Sequence, residues 1–237
     1  MLTAGMTWQI VLNNNSVGTT NFDPVQVYDI DLFDTPPATI SALHTAGKKV
    51  ICYYSAGSYE DWRPDASEFP SSAMGKGLID WPGETWLDTN NPTVRQIMVS
   101  RMQLAVQKGC DGVDPDNIDA YNNDNGLNLT PSDAVNYVTF LTTEAHSRGL
   151  ASGLKNGGGI VENVLGLVDF EVNEQCVEYN ECYLFDGFIV LGKPVFHIEY
   201  PNDTSVEAIV PYCTGANETG FSTVIKHMNL DEFYEEC

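Results

Sequence analysis

The chain has 237 residues and 33 acidic side chains against 11 Lys and Arg, a formal charge of −22 at pH 7. With 43% hydrophobic and 11% aromatic residues it can fill one sizeable core, which excludes an intrinsically disordered chain. Such acidity repels phosphate backbones and anionic lipid, and no basic patch offsets it, so neither nucleic acid nor a membrane is an expected partner.

Short apolar and aromatic runs bounded by turn residues predict strands. Trp8 to Leu12 is the first. Asn13 to Pro24 carries no helical pattern and leads to a second strand over Val25 to Leu32, a helix over Pro37 to Ala46 and a third strand over Lys48 to Tyr54. Ser55 to Thr89 is long, aromatic-rich and reads as a barrel loop. A helix follows over Pro92 to Lys108, with Val94, Ile97, Met98, Arg101, Met102 and Ala105 on one stripe, then a strand over Gly112 to Asp116 and a helix over Pro131 to Arg148. The remaining strands are Leu150 to Lys155, Val168 to Asn173, Val195 to Glu199 and Thr223 to Lys226. All three helices begin at a proline and stop at Gly47, Gly109 or Gly149. Near-continuous apolar strands alternating with helices imply a parallel sheet, and eight strands in a chain of this length predict a single (β/α)8 TIM barrel.

Six cysteines and sequons at Asn14, Asn128, Asn202 and Asn217 favour an oxidising, secreted setting over free thiols and chance sequons. Cys176 with Cys182 and Cys213 with Cys237 are plausible loop and tail staples, while Cys52 and Cys110 stay open. No C-x-x-C pair offers a metal site. Apolar stretches such as Gly187 to Leu191 are far short of a membrane span, and Met1 to Thr7 lacks the regions of a signal peptide, as in a mature or trimmed chain.

In a barrel of this class chemistry sits where the strands end. Those ends carry Asp29, Asp31 and Asp34, then Asp114, Asp116 and Asp119, then Glu171 and Glu174, and Glu199, with Lys155 as the nearby cation. Each alone is a solvated or capping group. Their coincidence across four strands points to a protic or cationic ligand, because buried unpaired carboxylates are costly. Alternation puts Asp114 and Asp116 on one face, and Asn117 and Asp119 can orient Asp116 or bind hydroxyls. A calcium loop competes for the D-x-D-x-x-D spacing but lacks its glycine and final Glu. Strict alternation also puts Glu171 and Glu174 on opposite faces, and composition does not choose between them. A carboxylate pair from opposed strands is what glycosidic cleavage needs, one group protonating the leaving oxygen while the other attacks or activates water.

Tyr53, Tyr54, Tyr59, Trp62, Trp81 and Trp86 lie on and after the third strand, where flat faces stack on sugar rings; core packing is the alternative for about half of them. There is no G-x-S-x-G elbow, no H-E-x-x-H and no P-loop lysine. Gly157-Gly158-Gly159 reads as a close-approach loop, and His44, His146, His197 and His227 as satisfied structural histidines.

Six segments in order, I-C-Y-Y-S-A-G-S-Y-E-D-W-R-P-D (51–65), W-P-G-E-T-W-L-D (81–88), G-V-D-P-D-N-I-D-A-Y (112–121), G-L-K-N (153–156), V-N-E-Q-C-V-E-Y-N-E-C (172–182) and G-K-P-V-F-H-I-E-Y (192–200), resemble glycoside hydrolase family 114 of the secreted fungal type. The resemblance spans nearly the whole chain. It implies a monomeric (β/α)8 hydrolase, without cofactor or metal, that cuts inside partly deacetylated α-1,4-polygalactosamine, a biofilm-type polymer. Carried over by position, it makes Asp116 and Glu174 the catalytic carboxylates and places Asp31, Tyr53, Asp114, Asn117, Lys155 and Glu199 along the substrate groove; Trp62, Trp86 and Asp119 join them from the residue reading. A retaining scheme makes Asp116 the nucleophile and Glu174 the acid/base, at about 5 to 5.5 Å, and a wider gap implies inversion. Cys110 and Glu171 depart from the pattern, where a bulky apolar and a small residue are usual. The cationic substrate suits a chain of charge −22. Two other readings stay open: a non-catalytic binding protein for cationic polysaccharide, and a sugar deacetylase, for which no His-rich metal constellation exists.

Overall fold

The computed structural model describes residues 2–13, 17–217 and 220–237; the sequon at Asn14 lies outside them. Eight parallel strands follow one another around a curled sheet: β1 (Trp8–Val11), β2 (Val27–Asp31), β3 (Lys49–Ser55), β7 (Gly112–Asp116), β8 (Ala151–Lys155), β9 (Phe170–Glu174), β10 (Val195–Glu199) and β11 (Ser222–Ile225). The helices α1 (Pro37–Thr45), α2 (Pro92–Lys108), α3 (Pro131–Ser147), α4 (Val161–Val164), α5 (Asp186–Val190) and α6 (Val206–Asn217) occupy the connections. This is the expected (β/α)8 barrel-like fold. Gly47, Gly109 and Gly149 follow the first three helices with φ of 78°, 94° and 76°, the left-handed conformation of a helix stop.

Two apolar layers hold it together. Outside the sheet, the helical stripe Val94, Ile97, Met98, Met102 and Ala105 packs on Val50, Cys52, Tyr54 and Val113. Inside, Trp8, Ile10, Val27, Ile51, Phe170, Val172, Phe196, Ile198 and Val224 fill the lower barrel. Burying that many large side chains stabilises the barrel by several tens of kcal/mol before entropy is counted. Gly153 makes the filling possible, since a Cβ there would lie 2.5 Å from the Phe170 ring.

The seam between β1 and β11 is closed differently. Trp8 Nε1 donates to Ser222 O at 2.8 Å, and the final segment supplies the rest: Leu12 N–H donates to Leu230 O, Gln9 Nε2 to Glu232 O, and β12 (Glu235–Glu236) pairs antiparallel with β11. Buried Lys226 joins both sides through Gln9 Oε1 at 2.9 Å and Asp231 O at 2.7 Å.

Both anticipated disulfides form, Cys176–Cys182 and Cys213–Cys237, and Cys52 pairs with Cys110. The last bridge explains the departure at Cys110. It closes 58 residues between β3 and the turn that leads into β7, worth roughly 4 kcal/mol by loop entropy. The stretch from Ser55 to Thr89 is a loop of the barrel but carries its own antiparallel sheet: β4 (Ser58–Glu60), β5 (Met74–Gly77) and β6 (Glu84–Leu87), in the order β4-β6-β5. Strands of three or four residues with Gly, Lys and Glu in them leave no alternating apolar signature.

Candidate active site

Strand alternation continues upward from the inner apolar layer. The face of β2 that carries Val27 also carries Asp29 and Asp31, that of β3 Tyr53 and Ser55, that of β7 Asp114 and Asp116, that of β8 Lys155, and that of β9 Glu174. Register sets Asp31, Tyr53 and Asp114 at one level and Ser55 and Asp116 at the next. Glu174 therefore shares the inner face with Phe170 and Val172, and Glu171 points into the outer layer, fully buried. The parity question is answered by where the apolar inner set lies.

Three strands end alike. Asp116, Lys155 and Glu174 are each followed by a non-glycine residue in the left-handed region: Asn117 at φ 61°, Asn156 at 53° and Gln175 at 62°. The turn stops each ladder and leaves the charged side chain at the lip.

Lys155, 2% exposed, is the hub. Its Nζ lies 3.5 Å from Asp114 Oδ2, 3.8 Å from Glu174 Oε2 and 4.0 Å from Asp116 Oδ1, and over the Tyr53 ring at 5.4 Å. Asp116 accepts from Tyr53 Oη at 2.9 Å and from the Asn117 N–H at 2.7 Å. Glu174 accepts from Tyr200 Oη at 2.6 Å and Asn156 Nδ2 at 3.0 Å, while its own N–H donates to Asn156 Oδ1. Burial works against the Glu174 charge, but Lys155, Tyr200 and Asn156 outweigh it and hold the carboxyl below its ordinary range. The side chains of Asp116 and Glu174 keep 20% and 25% exposure, enough to meet a ligand. Beneath them burial pushes Asp114 up to about 7, against Lys155, and Asp29 well above the carboxylate range; neither Asp29 oxygen has a partner. Tyr53 and Tyr200 are likewise raised by burial and keep their protons to donate.

Asp116 and Glu174 open into a cleft of about 620 Å³ lined by Asp31, Tyr53, Glu60, Trp62, Trp81, Glu84, Trp86, Asn117, Asp119 and Lys155 among others. A smaller recess of about 420 Å³ continues past Asp119, Asn156 and Glu174 along Gly157 to Gly159, Gln175 and Tyr179. Trp62 and Trp81 are each about half exposed on the wall, whereas Trp86 is nearly buried. Tyr54 and Tyr59 belong to the outer core.

The remaining anticipated residues divide. Asp31 reaches the cleft, but Arg63 takes both its oxygens at 2.7 and 3.1 Å, and it also caps the Phe33 and Asp34 N–H groups. Asp114 lies below the cleft, against Lys155. Glu199 does not line the groove: it faces outward, fully buried, and its Oε1 accepts from the Val177 N–H at 2.7 Å and bonds His197 Nε2 at 2.9 Å. It pins the loop after Glu174. Alternation from inward-facing Phe196 and Ile198 gives this orientation, and by the same count gives Tyr200 an inward one. Tyr200, Asn156, Arg63 and Glu84 escaped the residue reading. The four histidines are all paired, His44 with Asp111, His146 with Asp169, His227 with Asp231 and His197 as above. Cys176, Cys182 and His197 bring ligand atoms within 4.8 Å of one another, but the two sulfurs are joined to each other and cannot act as thiolates.

The model of the glycoside-hydrolase family GH114 matches residues 2–237. The chain belongs to family GH114. It is a glycoside hydrolase, and comparison with solved structures agrees. The crystal structure of Aspergillus fumigatus Ega3 in complex with galactosamine is 47% identical, covering 99% of this chain and 96% of Ega3, with a TM-score of 0.95. The glycoside hydrolase domain of PelA from Pseudomonas aeruginosa is 14% identical over 97% of both chains at a TM-score of 0.76, which shows a common fold. An uncharacterised protein of Deinococcus radiodurans is 25% identical over 213 residues, 81% of this GH114 chain and 69% of that protein.

Proposed function

We propose that this GH114 protein cleaves internal α-1,4 linkages of partly deacetylated polygalactosamine, with Asp116 and Glu174 as the reacting carboxylates. The observation that carries the reading is their placement: two part-exposed carboxyls from neighbouring parts of the barrel mouth share one ammonium, and each has its own phenol donor. The galactosamine bound by the similar Ega3 supports the sugar. In a retaining course Asp116, fixed by Tyr53 and the Asn117 N–H, attacks the anomeric carbon while Glu174, which must first take up a proton against the pull of Lys155, Tyr200 and Asn156, gives it to the leaving oxygen; water then enters with Glu174 as base. The cleft runs on past the pair into the second recess, which suits a chain lying across the site rather than ending at it. Its Trp62 and Trp81 faces suit stacking on sugar rings, and a charge of −22 favours a cationic polymer with affinity that falls as salt rises. Three disulfides fit action in an oxidising, extracellular setting, and Asn128 and Asn202 are exposed for glycosylation.

The test is incubation of wild type, Asp116→Asn and Glu174→Gln with fully and partly deacetylated α-1,4-galactosamine oligomers, product length being read by mass spectrometry. Mid-chain fragments from wild type alone are expected. Intact oligomers that bind throughout would replace this reading with that of a binding protein, and loss of acetyl mass without shortening would replace it with a deacetylase.

A further inference from the structure

A chain of hydroxyls behind Asp116 is not used by the two carboxylates. Ser55 ends β3 and Ser58 begins β4; both are fully buried, with Oγ atoms 2.6 Å apart. Ser58 Oγ donates to Glu84 Oε2 at 2.6 Å. Its single proton spent, it accepts from Ser55 Oγ–H, which leaves Ser55 to accept from Asn117 Nδ2 and the Ser58 N–H, each at 3.0 Å. The bonds run one way, from Asn117 through Ser55 and Ser58 to Glu84. At the other end the Asn117 N–H holds Asp116 Oδ1. Gly57 allows the approach, since a Cβ there would sit 1.7 Å from the Asn117 carbonyl oxygen.

Glu84 stands on the cleft wall with Trp62 and Trp81. Of the acids lining the same cleft, Asp31, Asp34 and Glu60 have Arg63, Asp124 has Lys76, and Asp116 and Glu174 have Lys155, while Asp80 and Asp119, like Glu84, make no ion pair among the described residues. Among the described residues no cation lies within 4.0 Å of Glu84.

We propose that Glu84 is a specificity-determining and positioning residue: it receives the ammonium of an unacetylated sugar and, through Ser58, Ser55 and Asn117, sets the orientation of Asp116. The proposal rests on the hydrolytic reading above and says which sugar the cleft selects. An N-acetyl group carries no charge to meet Glu84. Burial pushes the free carboxyl up to about 7, with Glu60 and Asp116 adding like charge and Ser58 and Arg63 opposing, and a bound ammonium restores its ionised form. Ionised Glu84 fixes the direction of the hydroxyl chain, so the right substrate also tightens the grip on Asp116.

Wild type, Glu84→Gln and Ser58→Ala are compared on fully unacetylated and partly N-acetylated α-1,4-galactosamine oligomers, with kcat and KM separated across pH. Glu84→Gln is expected to raise KM about tenfold on the unacetylated oligomer and about twofold or less on the acetylated one, and to flatten the fall in kcat/KM that wild type shows below about pH 7. Ser58→Ala, with the charge intact, is expected to lower kcat about tenfold at unchanged KM. Equal losses on both oligomers, an unchanged KM and pH profile in Glu84→Gln, or an unchanged kcat in Ser58→Ala overturns the inference while cleavage by wild type leaves the hydrolytic reading standing. If wild type cuts neither oligomer, both fall. Should Ser58→Ala fail to fold, part-exposed Glu84→Gln carries the test alone.

Discussion

Two acid–base clusters lie side by side at the barrel mouth and are built on opposite terms. Around Arg63 and Arg101, guanidinium forks meet Asp31, Glu60 and Asp65 at 2.7 to 3.1 Å, and Arg101 also holds Ser55 O at 2.6 Å. Around Lys155, one ammonium is spread over Asp114, Asp116 and Glu174 at 3.5 to 4.0 Å, and Asp114 Oδ1 has no partner. The first cluster is held by short, close-fitting forks that match the carboxylates, with Glu60 Oε2 and Arg63 Nε its buried atoms left without a hydrogen-bond partner. The second is short of positive charge and keeps two carboxyls open to the cleft. Acid count does not separate them; contact length and cation supply do, and only the undersupplied cluster has charge left to act on a ligand.

Substitution should pull the two apart. Asp116→Asn and Glu174→Gln are expected to lower kcat by about a thousandfold or more while melting temperature and oligomer binding stay near wild type, read by single-turnover assay and calorimetry. Arg63→Met should do the reverse. It strands two buried carboxylates and costs about 3 to 5 kcal/mol of stability, seen in urea unfolding, with activity per folded molecule largely kept. If Arg63→Met abolishes turnover in a fully folded protein, the division between structural and reactive clusters is wrong. Tyr200→Phe removes one donor from Glu174 and should reduce kcat about tenfold with little change in KM.

The smallest effect is on stability against pH. Asp114 and Glu84 are pushed by burial to about 7 and Asp119 to about 6 in the folded chain. Raised carboxyls bind more protons folded than unfolded, so their contribution is full below the ordinary carboxylate value near 4 and declines as pH rises through 6 to 7. Melting temperature should therefore be lower at about pH 8 than at about pH 5, and Asp119→Asn should reduce the difference. A melting temperature that rises over that interval would show that these groups are charged in the folded chain.

The strands were legible because each is an apolar run between turn residues, and proline and glycine punctuate the first three helices. The small sheet between β3 and α2 was not, since its strands are too short to repeat a pattern. At the mouth, the strand-end acids marked the place but not their states. Whether Asp31 is free or taken depends on Arg63, 32 residues away in sequence, and nothing local to either residue announces the pair. Glu199 is a groove residue by resemblance alone, whereas alternation along β10, where Phe196 and Ile198 fix the inner face, sends it outward. Glu171 and Glu199 are the two acids that this count sends outward.

The left-handed residues after β7, β8 and β9 also set the terms for redesign. Glycine at 117, 156 or 175 would spare the backbone its strain, yet at 117 and 156 it would discard the amide that grips Ser55 or Glu174; a β-branched residue would forfeit the bend as well. A library meant to alter which sugars enter the cleft is therefore best spent on Trp62, Trp81 and Glu84, whose backbones are ordinary, with these three hinge points left as found.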